Sequence, residues 1–149
     1  MATWGEFAEA SPELAAFGAE RFESTHVAYL ATERKDGWPR VHPVSPIIGQ
    51  GHLFLFMEPT SPKRHDLLRD GRYALHSSVS DPSGASGEFS VIGKAVLADD
   101  PAIRALATEA ASYTPEDRYV LFELTVESAL SIADENGQPV RKRWPGRDA

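Results

Sequence analysis

Between His26 and Trp144, turn signals recur closely enough to divide the chain into short runs, most of them β-prone, with two short helices among them. Asp36-Gly37, Gly49-Gln50-Gly51, Asp70-Gly71, Ser80–Gly87 and Asn136-Gly137 cut this stretch into short β-prone runs. With no βαβ alternation, consecutive strands must pair antiparallel, and the pattern predicts an α+β, mainly β, domain built on a β-barrel.

The runs read as follows. Trp4–Phe22 has helical spacing, with a break near Ser11, where Ser11 is the N-cap and Pro12 the first helical residue of a second helix. His26–Thr32 and Trp38–Ile48 form a hairpin across Asp36-Gly37. The return strand carries Pro39, Pro43 and Pro46, which cannot donate to a ladder, so it is bent, bulged or at an edge. His52–Met57 is an apolar strand. A short helix follows, capped by Thr60 or Ser61, with Pro62 in its first turn and Leu67 and Leu68 facing inward. Arg72–Val79 is a strand, Ser80–Gly87 a mobile loop by composition, and Glu88–Ala98 a long strand bent at Gly93. Asp99 or Asp100 caps a helix from Pro101 to about Ala111. Arg118–Ala133 alternates apolar and polar residues and reads as one long strand. Asn136-Gly137 is the strongest hairpin signal in the chain, and Val140–Trp144 closes it.

At 149 residues the length suits a single domain over 1–149, able to bury a core without staples. The absence of cysteine excludes disulfides, thiolate metal sites, iron–sulfur clusters and thiol catalysis, and fits a reducing cytoplasm. A formal charge of -7 argues against nucleic acid as a partner while leaving room for one local basic pocket. Met1–Glu9 lacks the basic-then-apolar pattern of a signal peptide, and Leu53–Met57 is far too short to cross a membrane.

Familiar catalytic signatures are missing. Gly84-Ala85-Ser86-Gly87 has the wrong spacing for a nucleophile elbow, and Gly49-Gln50-Gly51 reads as a turn. The five histidines form no His-x-x-x-His pair, so no metal site is expected. One stretch does carry chemistry. Arg40 on one strand and Ser61-Pro62-Lys63-Arg64 at a helix start form an anion cradle: a hydroxyl, helix N-terminal N–H groups and cationic heads can converge on one phosphate. The competing reading makes Ser61 a plain N-cap and leaves Lys63 and Arg64 solvated.

The order VAYLAT, DGWPRVHPV, LFLFMEPTSPK, RYALHS, EFSVIGKAVLADDP, LFELTVESA and RKRWPG resembles the pyridoxamine 5'-phosphate oxidase-like split β-barrel family of FMN-binding proteins, over roughly His26 to Pro145. The resemblance implies a split barrel of antiparallel strands with short flanking helices, and an obligate homodimer with flavin in the interface cleft. It implies that Ser61, Lys63, Arg64 and Arg40 hold the cofactor phosphate. The backbone of Arg40, Val41, His42, Pro43 and Val44 would run along the isoalloxazine ring, with Leu55, Phe56 and Met57 behind it. Trp144 matches an aromatic near the cleft, reached from the partner subunit; its competing role is a plug at the barrel end. His42 and His76 are candidate proton donors to a small-molecule substrate.

The enzymes that give the family its name end in an Arg-x-His substrate motif. Here the end reads Arg141-Lys142-Arg143-Trp144-Pro145-Gly146, with no histidine, which argues against vitamin B6 as substrate. The ending looks more like a short bacterial subgroup of flavin and deazaflavin reductases. The alternatives are therefore a reductase using deazaflavin (coenzyme F420), with Arg141, Lys142 and Arg143 on the anionic tail, and a dimer that binds flavin or haem without turnover.

Overall fold

A computed structural model describes residues 1–146; the domain expected over 1–149 runs on into residues 147–149, which lie outside the described residues. Two helices open the chain, α1 (Trp4–Ala10) and α2 (Pro12–Thr25). Strands β1 (Ala28–Glu33), β2 (Pro39–Val44), β3 (Ile47–Gly49) and β4 (His52–Met57) follow. Then come α3 (Pro62–Arg69), β5 (Arg72–Ser77), β6 (Glu88–Leu97), α4 (Pro101–Ala110), β7 (Val120–Leu124), β8 (Ser128–Glu135) and β9 (Gln138–Trp144). Every strand pairing is antiparallel. The sheet runs β2-β1-β5-β6-β7-β4-β3, with the β8–β9 hairpin branching from β6. The result is an antiparallel half-barrel flanked by helices, the α+β, mainly β architecture expected.

The branch is made by β6, which pairs β8 through Glu88–Ile92 and β7 through Ala95–Leu97. Gly93 sits at the handover. A Cβ placed there would lie 1.8 Å from the Thr125 carbonyl oxygen, so only glycine lets the two backbones approach this closely. Thr125 is fixed from both sides: its N–H and hydroxyl donate to the Lys94 carbonyl at 2.9 and 2.8 Å, and its own carbonyl accepts from Tyr73 Oη at 2.8 Å.

This corner corrects the expected single strand over Arg118–Ala133. The strand breaks at residues 125–127, where Val126 bridges to Ala2 and Glu127 N–H donates to Ile92. The apolar–polar alternation hides the break because the inward phase slips there. Phe122, Leu124 and Val126 are buried before the corner; Ala129 and Ser131 are buried after it, leaving Leu130 and Ile132 on the outer face.

The other expectations hold in outline. Trp38–Ile48 divides into β2 and β3 around Ser45-Pro46, and proline-rich β2 is an edge strand. Asn136 and Gly137 adopt φ of 53° and 78°, the left-handed pair a two-residue hairpin turn requires. Asp100, not Asp99, caps α4 through Ala102 N–H at 2.9 Å. Ser11 and Ser61 occupy N-cap positions without making a side-chain cap bond, whereas Thr3 and Glu6 form a full capping box on α1. The loop before β6 is gathered around Asp81, whose carboxylate accepts from Ser83 Oγ at 2.6 Å and Ala85 N–H at 3.0 Å. Leu68 faces solvent, against expectation; the inward positions of α3 go to Leu67 and to Asp66.

The main core lies between the sheet and α1–α2. Trp4, Phe7, Phe22 and Phe89 meet edge-on or tilted, at centroid separations of 5.1 to 6.3 Å. A smaller cluster, Ile47, Phe54, Ala107 and Leu121, lies under α4. The outer face of the sheet carries a row of small and apolar side chains in register, Val41, Ala31, Ala74 and Ile92, with Tyr29 beside it. Val41 and Ile92 remain 64% and 42% exposed. No helix among the described residues is long and apolar enough to cross a membrane.

Gly93→Ala is expected to destabilise the protein by about 1–3 kcal/mol or more, since the contact it creates is with backbone. Urea unfolding checks this; a midpoint equal to that of the parent would show that the corner relaxes freely.

Candidate functional site

Edge strand β2 alternates strictly. Arg40, His42 and Val44 turn inward, while Val41 and Pro43 face out. The inward face meets α3, which begins directly after the turn that closes β4, where Ser61 N–H donates to the Glu58 carbonyl at 3.0 Å. Pro62 opens the helix with its φ already set. Ser61 itself is 8% exposed.

The centre of this junction is Asp66, 2% exposed. Its Oδ2 accepts from Arg40 Nε at 2.7 Å and Thr32 Oγ1 at 2.8 Å, and its Oδ1 from Arg69 Nη2 at 3.2 Å. Burial alone would raise this carboxyl; the bonds from Arg40, Thr32 and Arg69 outweigh it and hold the group below the ordinary aspartate range. Arg40 is thus aimed by one nitrogen, and neither Nη group takes a protein partner among the described residues.

Lys63 Nζ donates to Ser61 Oγ at 2.9 Å, joining the two residues of the expected cradle. Burial pushes its ammonium below the ordinary lysine range, and the Glu58 charge only partly restores it. Glu58 is held elsewhere, by Arg118 Nη2 at 2.6 Å and Nε at 3.0 Å. Among the described residues Lys63 has no carboxylate partner. His42 faces the same cations: burial, then Lys63 and Arg40, lower its imidazole below the usual histidine range. Three cationic or protonatable heads therefore converge with one buried carboxylate behind them, an arrangement suited to a small anion.

Two clefts adjoin at the first turn of α3. One, of about 690 Å³, is lined by Arg34, Lys35, Arg40, Pro62, His65 and Arg69, with acids Asp36 and Asp66. The other, of about 360 Å³, lies between the end of β2 (Pro43, Val44), the end of β4 (Phe56, Met57) and Lys63. A basic groove thus adjoins a smaller slot of mixed lining, in which Ser45 and Glu58 stand beside Val44, Phe56 and Met57.

Of the residues singled out in the sequence, Pro43, Val44, Phe56, Met57 and Lys63 line the smaller cleft, Ser61 is bonded to Lys63, Arg40 lines the larger cleft, and His42 lines neither. Arg64 turns away, its Nη1 donating to the Pro59 carbonyl at 3.1 Å. Leu55 points into the core, and Val41 points out to solvent. Trp144 packs on Phe7 at a centroid distance of 5.2 Å, and Arg141–Arg143 lie exposed on β9, with Lys142 paired to Glu135 at 3.0 Å. Neither feature adjoins Ser61 and Lys63 within one chain. His76 lies on the outer face of β5, with Nδ1 donating to the Ser77 carbonyl at 2.7 Å and Nε2 3.5 Å from Glu88. No metal-binding cluster of acids and histidines occurs among the described residues.

Sequence reasoning missed Asp66, Arg118 and the tyrosines Tyr113 and Tyr119, which also line the smaller cleft. The one local signal was an acid on the face that α3 turns to the sheet. Arg118 and Glu58 are 60 residues apart, and no pattern within either segment announces their pairing.

Comparison with known proteins agrees with the fold. A family model described as pyridoxamine 5'-phosphate oxidase matches residues 14–133. The chain belongs to that family. No curated protein matches the sequence. Among solved structures, a haem-binding protein from Mycobacterium smegmatis is 19% identical with a TM-score of 0.65; the match covers 85% of this chain and 57% of that one. A NimC/NimA family protein from Clostridium acetobutylicum is 17% identical, also at 0.65, covering 86% of this chain and 90% of its own. The haem storage protein HutZ from Vibrio cholerae is 15% identical at 0.58, covering 78% and 89% respectively. At these identities the likeness is one of fold.

Asp66→Asn is expected to cost about 1.5–3 kcal/mol, because three donors lose their charged acceptor. The sign with pH follows from a depressed carboxyl. Its stabilisation is complete above the ordinary aspartate value of about 3.9 and is lost as pH falls through the lower native value. The parent should therefore lose stability on acidification in a range where Asp66→Asn shows a flatter profile. Parallel profiles in acid denaturation would remove Asp66 from this role.

Proposed function

We propose that this chain is an FMN-binding oxidoreductase acting as a homodimer in the cytoplasm on a small molecule. The observation that carries the reading is Lys63: a partly buried ammonium bonded to Ser61 at the start of α3, with the nearby Glu58 carboxylate committed to Arg118, in a slot that Val44, Phe56 and Met57 also line. Such a group lacks an anion, and a phosphate ester on a planar ring supplies both the charge and the apolar body. The donor set therefore fits FMN.

When bound, the flavin supplies hydride chemistry. The residues supply the rest. Lys63, Ser61 and the free Nη groups of Arg40 bind the phosphate, and Asp66 keeps Arg40 aimed. Val44, Phe56 and Met57 exclude water from the ring slot. His42, whose imidazole burial and then Lys63 and Arg40 lower below the usual histidine range, is a candidate proton carrier beside these cations.

The outer row Val41–Ala31–Ala74–Ile92 supports the two-chain reading, since a contiguous apolar patch on a sheet face calls for a partner. A second copy packed there also gives Trp144 a route to the cofactor of its neighbour.

The visible spectrum of the purified protein, with mass spectrometry of what heat releases, tests the cofactor. A flavin doublet supports FMN, a single deazaflavin band points to coenzyme F420, and a Soret band to haem. A colourless protein that takes up none of the three overturns the reading. Lys63→Ala should weaken FMN binding by about 1.5–3 kcal/mol. Ile92→Lys should yield monomers in sedimentation and lose the cofactor. A parent chain that is monomeric and flavin-bound would disprove the dimer.

A further inference from the structure

The slot beside Lys63 has a third wall, formed by the segment between α4 and β7, and that wall is built with care. Arg104 of α4 donates to the carbonyls of Tyr119 at 2.7 Å, Glu116 at 3.1 Å and Asp117 at 3.3 Å, while its guanidinium lies 5.1 Å from the Phe56 ring centroid. One side chain thus ties the segment to a floor residue of the slot. Arg118 makes a second tie. Its guanidinium grips Glu58 through two nitrogens and stands 5.2 Å from the Tyr119 ring centroid. The Tyr119 N–H closes the turn on the Glu116 carbonyl at 3.0 Å.

These arginines hold the Tyr119 end of the segment, and Tyr113 stands at its other end. Tyr113 and Tyr119 both line the slot with Lys63, and burial raises the Tyr113 hydroxyl above the ordinary tyrosine range, so it stays protonated and able to donate. Neither hydroxyl bonds to a protein group among the described residues, in contrast to Tyr73, whose hydroxyl donates to Thr125 at 2.8 Å. Tyr113 and Ser45 also border a neighbouring hollow of about 230 Å³ lined by Ile47 and Ile48. Two unused donors in one slot with Phe56 and Met57 suit a planar heterocycle whose edge is rich in carbonyl and ring-nitrogen acceptors.

We propose that Tyr113 and Tyr119 are binding residues for the ring end of the cofactor, donating to its acceptor edge while Lys63 and Ser61 take the phosphate end. This rests on the flavin reading above and adds residues to it. The slot is then bipolar, with charge recognition at α3 and neutral hydrogen bonding at the α4–β7 segment.

FMN and riboflavin, which lacks the phosphate, separate the two ends. Each is titrated into the apoprotein of the full chain, and into Tyr113→Phe, Tyr119→Phe and Lys63→Ala, with bound flavin followed by fluorescence. Phenylalanine keeps the ring and removes only the donor, and circular dichroism confirms that each variant is folded. Both tyrosine variants should weaken FMN and riboflavin by the same factor, about three- to tenfold each. Lys63→Ala should weaken FMN and leave riboflavin unchanged. A parent that binds flavin, with both tyrosine variants matching it for both ligands, overturns this inference and leaves the cofactor reading standing. Weakening of FMN alone by the tyrosine variants would overturn it too, by moving the phenols to the phosphate end. A parent that binds neither flavin removes the cofactor reading itself.

Discussion

The contact of Gly93 with the Thr125 carbonyl is the constraint on which the architecture turns. An antiparallel sheet of this many strands would otherwise stay open. Here β6 releases β8 and takes up β7 within two residues, and the sheet folds into two leaves that share one strand. The β1 side then faces α3, while the ends of β2 and β4 carry the slot beside Lys63. The larger cleft lies between the β1–β2 turn and α3, and the smaller one between the ends of β2 and β4; no residue of the corner lines either.

The same molecule places its charges by burial rather than by number. Its surface is acidic overall, with a formal charge of -7, yet at the junction of β2 and α3 Arg40 and Arg69 share the Asp66 carboxylate and His42 faces Arg40 and Lys63. Asp66 reduces the repulsion among these groups and fixes one of them in direction. Lys63 is left with only a hydroxyl, and its depressed ammonium records the cost. An incoming anion would meet a site already oriented, so little reorganisation stands between binding and function.

Much of the framework was legible in the sequence because it is written locally. The prolines of β2 forbid a central position, Asn136-Gly137 supplies its own left-handed turn, and Ser61-Pro62 starts a helix wherever it is placed. What stayed hidden depends on pairs distant in the chain. Thr32 and Asp66 are 34 residues apart, and their bond is invisible to any window of pattern. Leu68 reads as core by composition, but the helix turns it outward so that Asp66 can reach Arg40. Trp144 reads as a cleft aromatic by resemblance, while within the chain its ring rests on Phe7.

The phase slip between Val126 and Ala129 reaches beyond the fold of one chain. On either side of it the same alternating pattern is read in opposite senses, inward before and outward after. With the corner geometry kept, gaining or losing one residue within 125–128 would shift the chain by one position in β8 and turn the β8–β9 hairpin inside out. Leu130 and Ile132 would enter the core, and Ala129 and Ser131 would meet the solvent. Across evolution this corner should tolerate changes of side chain more readily than changes of length, and divergence in length should gather at hairpin tips such as Asn136-Gly137, where no face is at stake.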